Sequence, residues 1–274
     1  MTPEHVISHS RHGLPVTPSV ALGYGWRDMT VPVTNAPTRV LVTGSARGIG
    51  ADIARRFAAD GAHLALVDVL DARPLAAELD GIAVTCDLAD PAATSDATGK
   101  AIAQLGGLDV LVNNAGVFQI TPLLDITVDE WDRTMAINAR AMLVTIQVAA
   151  RAMIAQGTGG RIVNMASMGG KVAEGGQLTY AASKAAVISL TQASAAELGP
   201  HGITVNSVCP GYVLTEMGAD TRSAEQVAGW SARSPLGRCG STTDVADLVA
   251  FLASPGAAYL TGQAVNISGG MIVH

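Results

Sequence analysis

From residue 39 onward the chain alternates short runs that are apolar on both faces with longer, alanine-rich stretches of helical period, and this alternation leaves few folds open. The apolar runs lie at 40–43, 63–68, 82–86, 108–113, 161–165, 204–209 and 263–267, and are rich in Val, Ile and Leu. Strands that are apolar on both faces belong in the middle of a parallel sheet, because only there is each face covered. The helical stretches fall near 48–60, 91–105, 127–156, 178–198 and 242–253. Strand followed by helix, repeated, predicts an α/β fold in which a parallel sheet carries helices on both faces. No fixed-period repeat or internal linker divides this region, so a single domain is expected over 38–274.

Composition narrows the function. Apolar residues make up 49% and charged residues 15% of the 274, enough to build a large core and too apolar for a disordered chain. A net charge of −6 with no Lys/Arg-rich run argues against a nucleic-acid partner, since phosphate binding needs concentrated positive charge. No uninterrupted apolar run reaches the eighteen or so residues of a membrane span, and no membrane partner is expected. Cys86, Cys209 and Cys239 are odd in number and scattered, which predicts a reducing, cytoplasmic setting. Residues 1–37 hold His5, His9 and His12 and several prolines without a burying period. They read as a flexible extension, and the three histidines are not expected to form a metal site. No metal is expected.

The first strand ends in Thr43-Gly44-Ser45-Ala46-Arg47-Gly48-Ile49-Gly50, and a helical pattern follows at once. Glycines there let the backbone approach a pyrophosphate with no Cβ in the way, and the helix N-terminus supplies free N–H groups and the positive dipole end. Gly44, Arg47, Gly48, Ile49 and Gly50 are therefore candidate cofactor contacts. The next strand ends at Asp68. A carboxylate at that place accepts both hydroxyls of an adenosine ribose and repels a 2′-phosphate, and an acid at a strand end also caps turns. Val69, rather than a base, follows Asp68, which favours NAD; Arg47 and Arg73 are the residues that would instead draw NADP.

Tyr180 and Lys184 stand at i and i+4, on one face of a helix. Ser167 lies just past the run 161–165, at the carboxyl end of a strand, where open α/β sheets hold their ligands. Oxidising an alcohol needs a base for the hydroxyl proton. A free tyrosine is about three pKa units too weak an acid, roughly 4 kcal/mol. One cation about 4 Å away supplies about that much at an effective dielectric near 20. Lys184 is placed to be that cation, and Ser167 to hold the reacting oxygen near Tyr180.

With these residues in hand, the stretch from about 38 to 274 resembles the classical short-chain dehydrogenase/reductase family, within it most of all the polyol and secondary-alcohol dehydrogenases. The resemblance implies a Rossmann-type doubly wound parallel sheet and an NAD(P)-dependent oxidoreductase. It brings further residues with it. Asn114, Ala115 and Gly116 resemble the segment that ends the fourth strand against the cofactor, and Asp87 with Leu88 the contact to adenine. Asn138 stands where the family places an Asn in the proton relay. Pro210, Gly211, Val213 and Thr215 resemble the stretch that binds the nicotinamide amide. A homotetramer is what the family commonly forms.

Substrate choice is expected from the segment between Ser167 and Tyr180 and from a loop near 215–238 carrying Met217, Trp230 and Arg233. Glu174 and Gln177 in the first are candidate partners for substrate hydroxyls, Glu174 being equally readable as a solvated acid. The expected reaction is hydride transfer between NAD(H) and a polyol or small hydroxyketone. The alternatives are an NADP-dependent ketone or 3-oxoacyl reductase sharing the same catalytic residues, and a cofactor-binding sensor, which would be expected to lack Tyr180 or Lys184.

Overall fold

The computed structural model describes residues 38–215 and 223–274, and the expected extension at 1–37 and Met217 lie outside them. Seven parallel strands form one sheet: β1 (Arg39–Thr43), β2 (His63–Asp68), β3 (Ile82–Thr85), β4 (Val110–Asn113), β5 (Gly160–Met165), β6 (Ile203–Pro210) and β7 (Ala264–Ile267), in the order β3-β2-β1-β4-β5-β6-β7. The strand order reverses beside β1, so the carboxyl ends of β1 and β4 diverge into a crevice. Open α/β sheets bind their ligands at such a point. The register aligns Val42 with Leu66 on one side and Val112 on the other. Val40, Leu41 and Val42 are all completely buried, as their apolar character on both faces requires.

Helices α1 (Gly48–Ala59) and α8 (Thr242–Ala253) cover one face, where Ile53 and Phe57 pack with Val245, Val249 and Leu252 against the strands. The opposite face is covered by α3 (Pro91–Leu105), α5 (Ala141–Gln156) and α6 (Leu178–Leu198), through Ala101, Ile102, Ile146, Met153 and Ala195. Truncating a fully buried Leu41 or Leu111 to Ala in such a core costs about 2–5 kcal/mol. The helix α4 (Val128–Met135) leads into α5 through one π turn, Ala136–Arg140. The combined run Val128–Gln156 is apolar and long enough to cross a membrane, yet 56% of its most apolar window is buried inside the domain.

Within this apolar face runs one polar chain. Thr145 Oγ1 donates to Asn113 Oδ1 (2.7 Å), Asn113 Nδ2 to Asn164 Oδ1 (2.9 Å) and Asn164 Nδ2 to Thr191 Oγ1 (3.0 Å). Buried amides are costly unless paired, and paired ones fix a unique alignment. The chain locks α5, β4, β5 and α6 together directly beneath the ends that carry the candidate site.

Two helices escape the sequence pattern. The first is α2 (Arg73–Glu78), six residues with a proline in its first turn, too short to show a period. The second is α7 (Ala224–Arg233), inside the stretch expected to be a loop. None of its residues is fully buried and only Val227, Trp230 and Ser231 are half-buried, too few to announce a helix by period; the capping box Ser223/Gln226 is its other signal.

Candidate active site

The turn after β1 is built by glycines that nothing else could replace. Gly44 has φ +62°, and a Cβ on it would stand 2.6 Å from Ala115 Cα; one on Gly50 would stand 2.0 Å from the Gly44 carbonyl oxygen. Asn114 ties the crevice together, donating through Nδ2 to the carbonyls of Gly44 (2.8 Å) and Thr43 (3.2 Å). Thr43 Oγ1 in turn accepts from the amides of Asn114 and Ala115, both at 3.1 Å. Thr43 opens the Gly-rich turn, and its hydroxyl's part in holding Asn114 and Ala115 has no signal in the sequence.

Asp68 is buried and does two things at once. Its Oδ2 accepts from the Ala46 amide (2.8 Å) and its Oδ1 from the Leu70 amide (2.9 Å), so the same carboxylate that faces the expected ribose also pins the Gly-rich turn. Arg73 is held by its neighbour Asp71 through two contacts of 2.8 Å. Arg47 is exposed at the start of α1. On the neighbouring strand end Asp87 accepts from the Ala89 amide (3.0 Å), while the Leu88 side chain is buried in the core and offers only backbone.

The helices α3, α4, α7 and α8 start with side chains that cap their first N–H groups: Asp90, Thr127, Ser223 and Ser241. Helix α1 starts at Arg47 without one. Its unmet N–H groups and positive dipole end face the crevice, and the Ser45 hydroxyl in the same turn is buried without a partner. Gly211 at the end of β6 binds the Ile267 carbonyl (3.0 Å), Val213 pairs with Gly240, and Thr215 comes over Gly48, its Cβ 3.7 Å from where a Cβ on Gly48 would lie. The turn, Asn114–Gly116 and Pro210–Thr215 thus converge on one groove lined with glycine and amide donors, which fits an anionic dinucleotide. Among the described residues, no three His, Cys, Asp or Glu side chains are grouped to hold a metal.

Beyond that groove lie Ser167, Tyr180 and Lys184. Ser167 follows β5 and caps a short 3₁₀ turn through Gly169 N–H (3.1 Å). Gly170 in that turn lies flat on α6: a Cβ there would stand 2.7 Å from the Lys184 carbonyl carbon. This close approach seats Ser167 against the Tyr180–Lys184 face. Phe118 meets the Tyr180 ring edge-on at 4.9 Å. Lys184 is 3% exposed, donates to the Met165 carbonyl (2.7 Å) and has Nζ 5.6 Å from the Tyr180 ring centre. Burial pulls the Lys184 ammonium down to about 8. Burial pushes the Tyr180 phenol above its ordinary value, and the Ser167 hydroxyl beside it acts in the opposite sense. The protein alone therefore holds a protonated phenol beside a buried ammonium whose charge burial disfavours.

Asn138 sits in the π turn, fully buried. Its Oδ1 accepts from the Val117 amide (2.8 Å), and its Nδ2 donates to the Val117 carbonyl (2.9 Å) and to Ser183 Oγ (3.0 Å). It clamps the end of β4 to α6. A Cβ on Gly116 would be 3.3 Å from Asn138 Oδ1 and 3.4 Å from Lys184 Nζ, so these three meet at one point. π turns recur at functional sites, and sequence gives no signal for this one.

Glu174 is part-exposed but not free, and Gln177 lies half-buried beside it. Glu174 pairs with Arg233 (2.6 Å), accepts from Tyr212 OH (3.0 Å) and from Gln177 Nε2 (3.4 Å), and its carboxyl lies below the usual carboxylate range, chiefly through Arg233. Arg233 also donates to Tyr212 OH (3.0 Å), and Tyr212 stacks on Trp230 at 4.7 Å. The pairing of Glu174 with Tyr212 and Arg233 was not foreseen; the helix that brings Arg233 across is the one in the stretch expected to be a loop.

A family model described as enoyl-(acyl carrier protein) reductase matches residues 44–272. Sorbitol dehydrogenase of Cereibacter sphaeroides is 41% identical over 244 residues, 84% of this chain and 95% of its own length. A short-chain dehydrogenase/reductase from Serratia marcescens BCRC 10948 superposes with a TM-score of 0.80 at 39% identity, covering 85% of this chain and 97% of that one. A blue fluorescent protein from a metagenomic library, solved in complex with NADPH, has a TM-score of 0.80 at 42% identity, covering 86% and 98%.

Proposed function

The chain belongs to the short-chain dehydrogenase/reductase family and is an NAD(P)-dependent oxidoreductase of alcohol groups, and from that premise we propose that it interconverts a polyol and the matching small hydroxyketone, with NAD as the preferred cofactor. The observation that carries the reading is the meeting of Ser167, Tyr180 and Lys184 at the end of β5, one groove away from the Gly-rich turn. Gly44, Arg47, Gly48, Ile49, Gly50, Asp68, Asp87, Leu88, Asn114, Ala115, Gly116, Pro210, Gly211, Val213 and Thr215 are assigned to hold the dinucleotide. When bound, it supplies the hydride acceptor for oxidation and the donor for reduction.

The protein's own residues handle the proton. Ser167 orients the reacting oxygen, Tyr180 takes or returns its proton, and Lys184 lowers the phenol's proton affinity. Asn138 joins the relay behind Lys184, next to Gly116. Glu174 and Gln177 border the substrate. The NAD preference rests on Asp68 at the end of β2 and on Arg73 being engaged by Asp71, which withdraws one cation from a 2′-phosphate. The polyol class is supported by the likeness to a sorbitol dehydrogenase and by the polar wall that Glu174 and Gln177 form. Exposed Val128, Trp131, Leu143 and Ile154 on the long helix support assembly of copies into a homotetramer. The test is turnover of polyols, hydroxyketones, aryl alcohols and 3-oxoacyl thioesters with each cofactor. Polyol oxidation that is faster with NAD supports the reading; selective turnover of 3-oxoacyl thioesters with NADPH overturns it.

A further inference from the structure

Gln177 lies between the charged cluster and the reacting centre, and its two ends face different chemistry. The point where a Cβ on Gly169 would stand is 3.5 Å from Ser167 Oγ, 3.7 Å from the Tyr180 ring and 3.7 Å from Gln177 Oε1. The other end, Nε2, points to Glu174 Oε2. An ionised carboxylate only accepts hydrogen bonds, so it fixes which end of a neighbouring amide faces it. Glu174 is kept ionised by Arg233 and Tyr212, which bind its two oxygens. The amide therefore cannot turn over without placing its oxygen against the carboxylate.

We propose that Gln177 is a specificity-determining acceptor, its carbonyl oxygen held toward Ser167 and Tyr180 by Glu174, with Arg233 and Tyr212 as positioning residues behind it, and that it selects substrates with a free hydroxyl on the carbon next to the reacting one. This deepens the polyol reading and rests on it. A vicinal hydroxyl lies roughly 2.8 Å from the reacting oxygen, a hydrogen-bond length, and can donate to Gln177 while Ser167 and Tyr180 hold its neighbour. A carbonyl or ether at that place would set two acceptors face to face, and a plain methylene would leave the amide oxygen unpaired.

The test compares 2,3-butanediol with 2-butanol for the wild type, Gln177→Leu, Glu174→Gln and Arg233→Leu. The quantity read is the ratio of the two kcat/KM values, with melting temperature as a check on folding. The wild type favours the diol, and each variant cuts that ratio by about tenfold, the size of one lost hydrogen bond. Glu174→Gln gives a second readout that a loosened loop would not. A glutamine at 174 can donate to Gln177 and let its amide turn over, so 2,3-butanedione gains on 3-hydroxy-2-butanone in the reduction direction. Equal losses on diol and mono-alcohol in Gln177→Leu, or an unmoved diketone ratio in Glu174→Gln, overturn the orientation and leave the polyol reading standing. A wild type without diol preference overturns both.

Discussion

Asp68→Ala should do more than change cofactor choice, because the carboxylate it removes also holds the turn. Two backbone amides lose their acceptor, Ala46 at 2.8 Å and Leu70 at 2.9 Å. Stranding a half-buried amide that had a charged partner costs about 1.5–3 kcal/mol, which applies to Ala46. Leu70 is 45% exposed, so water takes over much of its bond and the added cost is about 0.5–1 kcal/mol. Together the loss is about 2–4 kcal/mol. For a domain of this size each kcal/mol moves Tm by about 2–4 °C, so the variant should melt roughly 4–16 °C lower without ligand. Asp68→Asn keeps one acceptor oxygen but turns an NH₂ toward the second amide, and should fall in between. In kinetics, the NAD-over-NADP ratio of kcat/KM should shrink by about tenfold or more, since both the ribose acceptor and the repulsion of a 2′-phosphate are gone. Scanning calorimetry of the three proteins, with initial rates on both cofactors, checks the reasoning. A Tm within about 1 °C of wild type would show that the turn does not depend on Asp68. A wild type that prefers NADP would show that Arg47 outweighs it.

Lys184 makes stability depend on pH in a defined sense. Its folded value, about 8, lies below the unfolded lysine value, so between the two the unfolded chain keeps a proton that the native protein has released. Stability from this group therefore rises with pH across about 8 to 10, by up to ~1.4 kcal/mol per pH unit. Melting curves of wild type and Lys184→Met should accordingly diverge in favour of the wild type as pH is raised, and parallel curves would refute the burial of a titrating ammonium. Residues 1–37 show no burying period, so deleting residues 1–28 should leave Tm and activity nearly unchanged. A loss of several degrees, or a smaller assembly by light scattering, would place them in the folded unit or an interface.

Most of the sheet was legible because parallel strands announce themselves: all seven apolar runs became strands, with ends shifted by one or two residues where a cap or bridge decides the boundary. The Gly-rich turn was legible for a related reason, since steric need at Gly44 and Gly50 leaves only one residue type. What stayed hidden depends on contacts between distant segments. The π turn around Asn138 is set by Val117 and Ser183, which no local pattern announces. Helix α7 fully buries none of its residues and is tied to the body through Arg233 and Trp230, so its period is weak. Glu174 was read as a hydroxyl partner or a solvated acid. Its fate was decided by Arg233, fifty-nine positions away, and by Tyr212.

The central claim is that the Tyr180 phenol carries the proton while hydride moves to or from the nicotinamide. Tyr180→Phe tests it most directly, because Phe keeps the ring against Phe118 and removes only the hydroxyl. The measurement is the rate of reduced-nicotinamide formation from a polyol at saturating NAD, alongside NADH binding by fluorescence. The account predicts a loss of about 10²–10⁴-fold in turnover with NADH still bound. Turnover above about a tenth of wild type, with binding intact, would remove Tyr180 from the role and the mechanism with it.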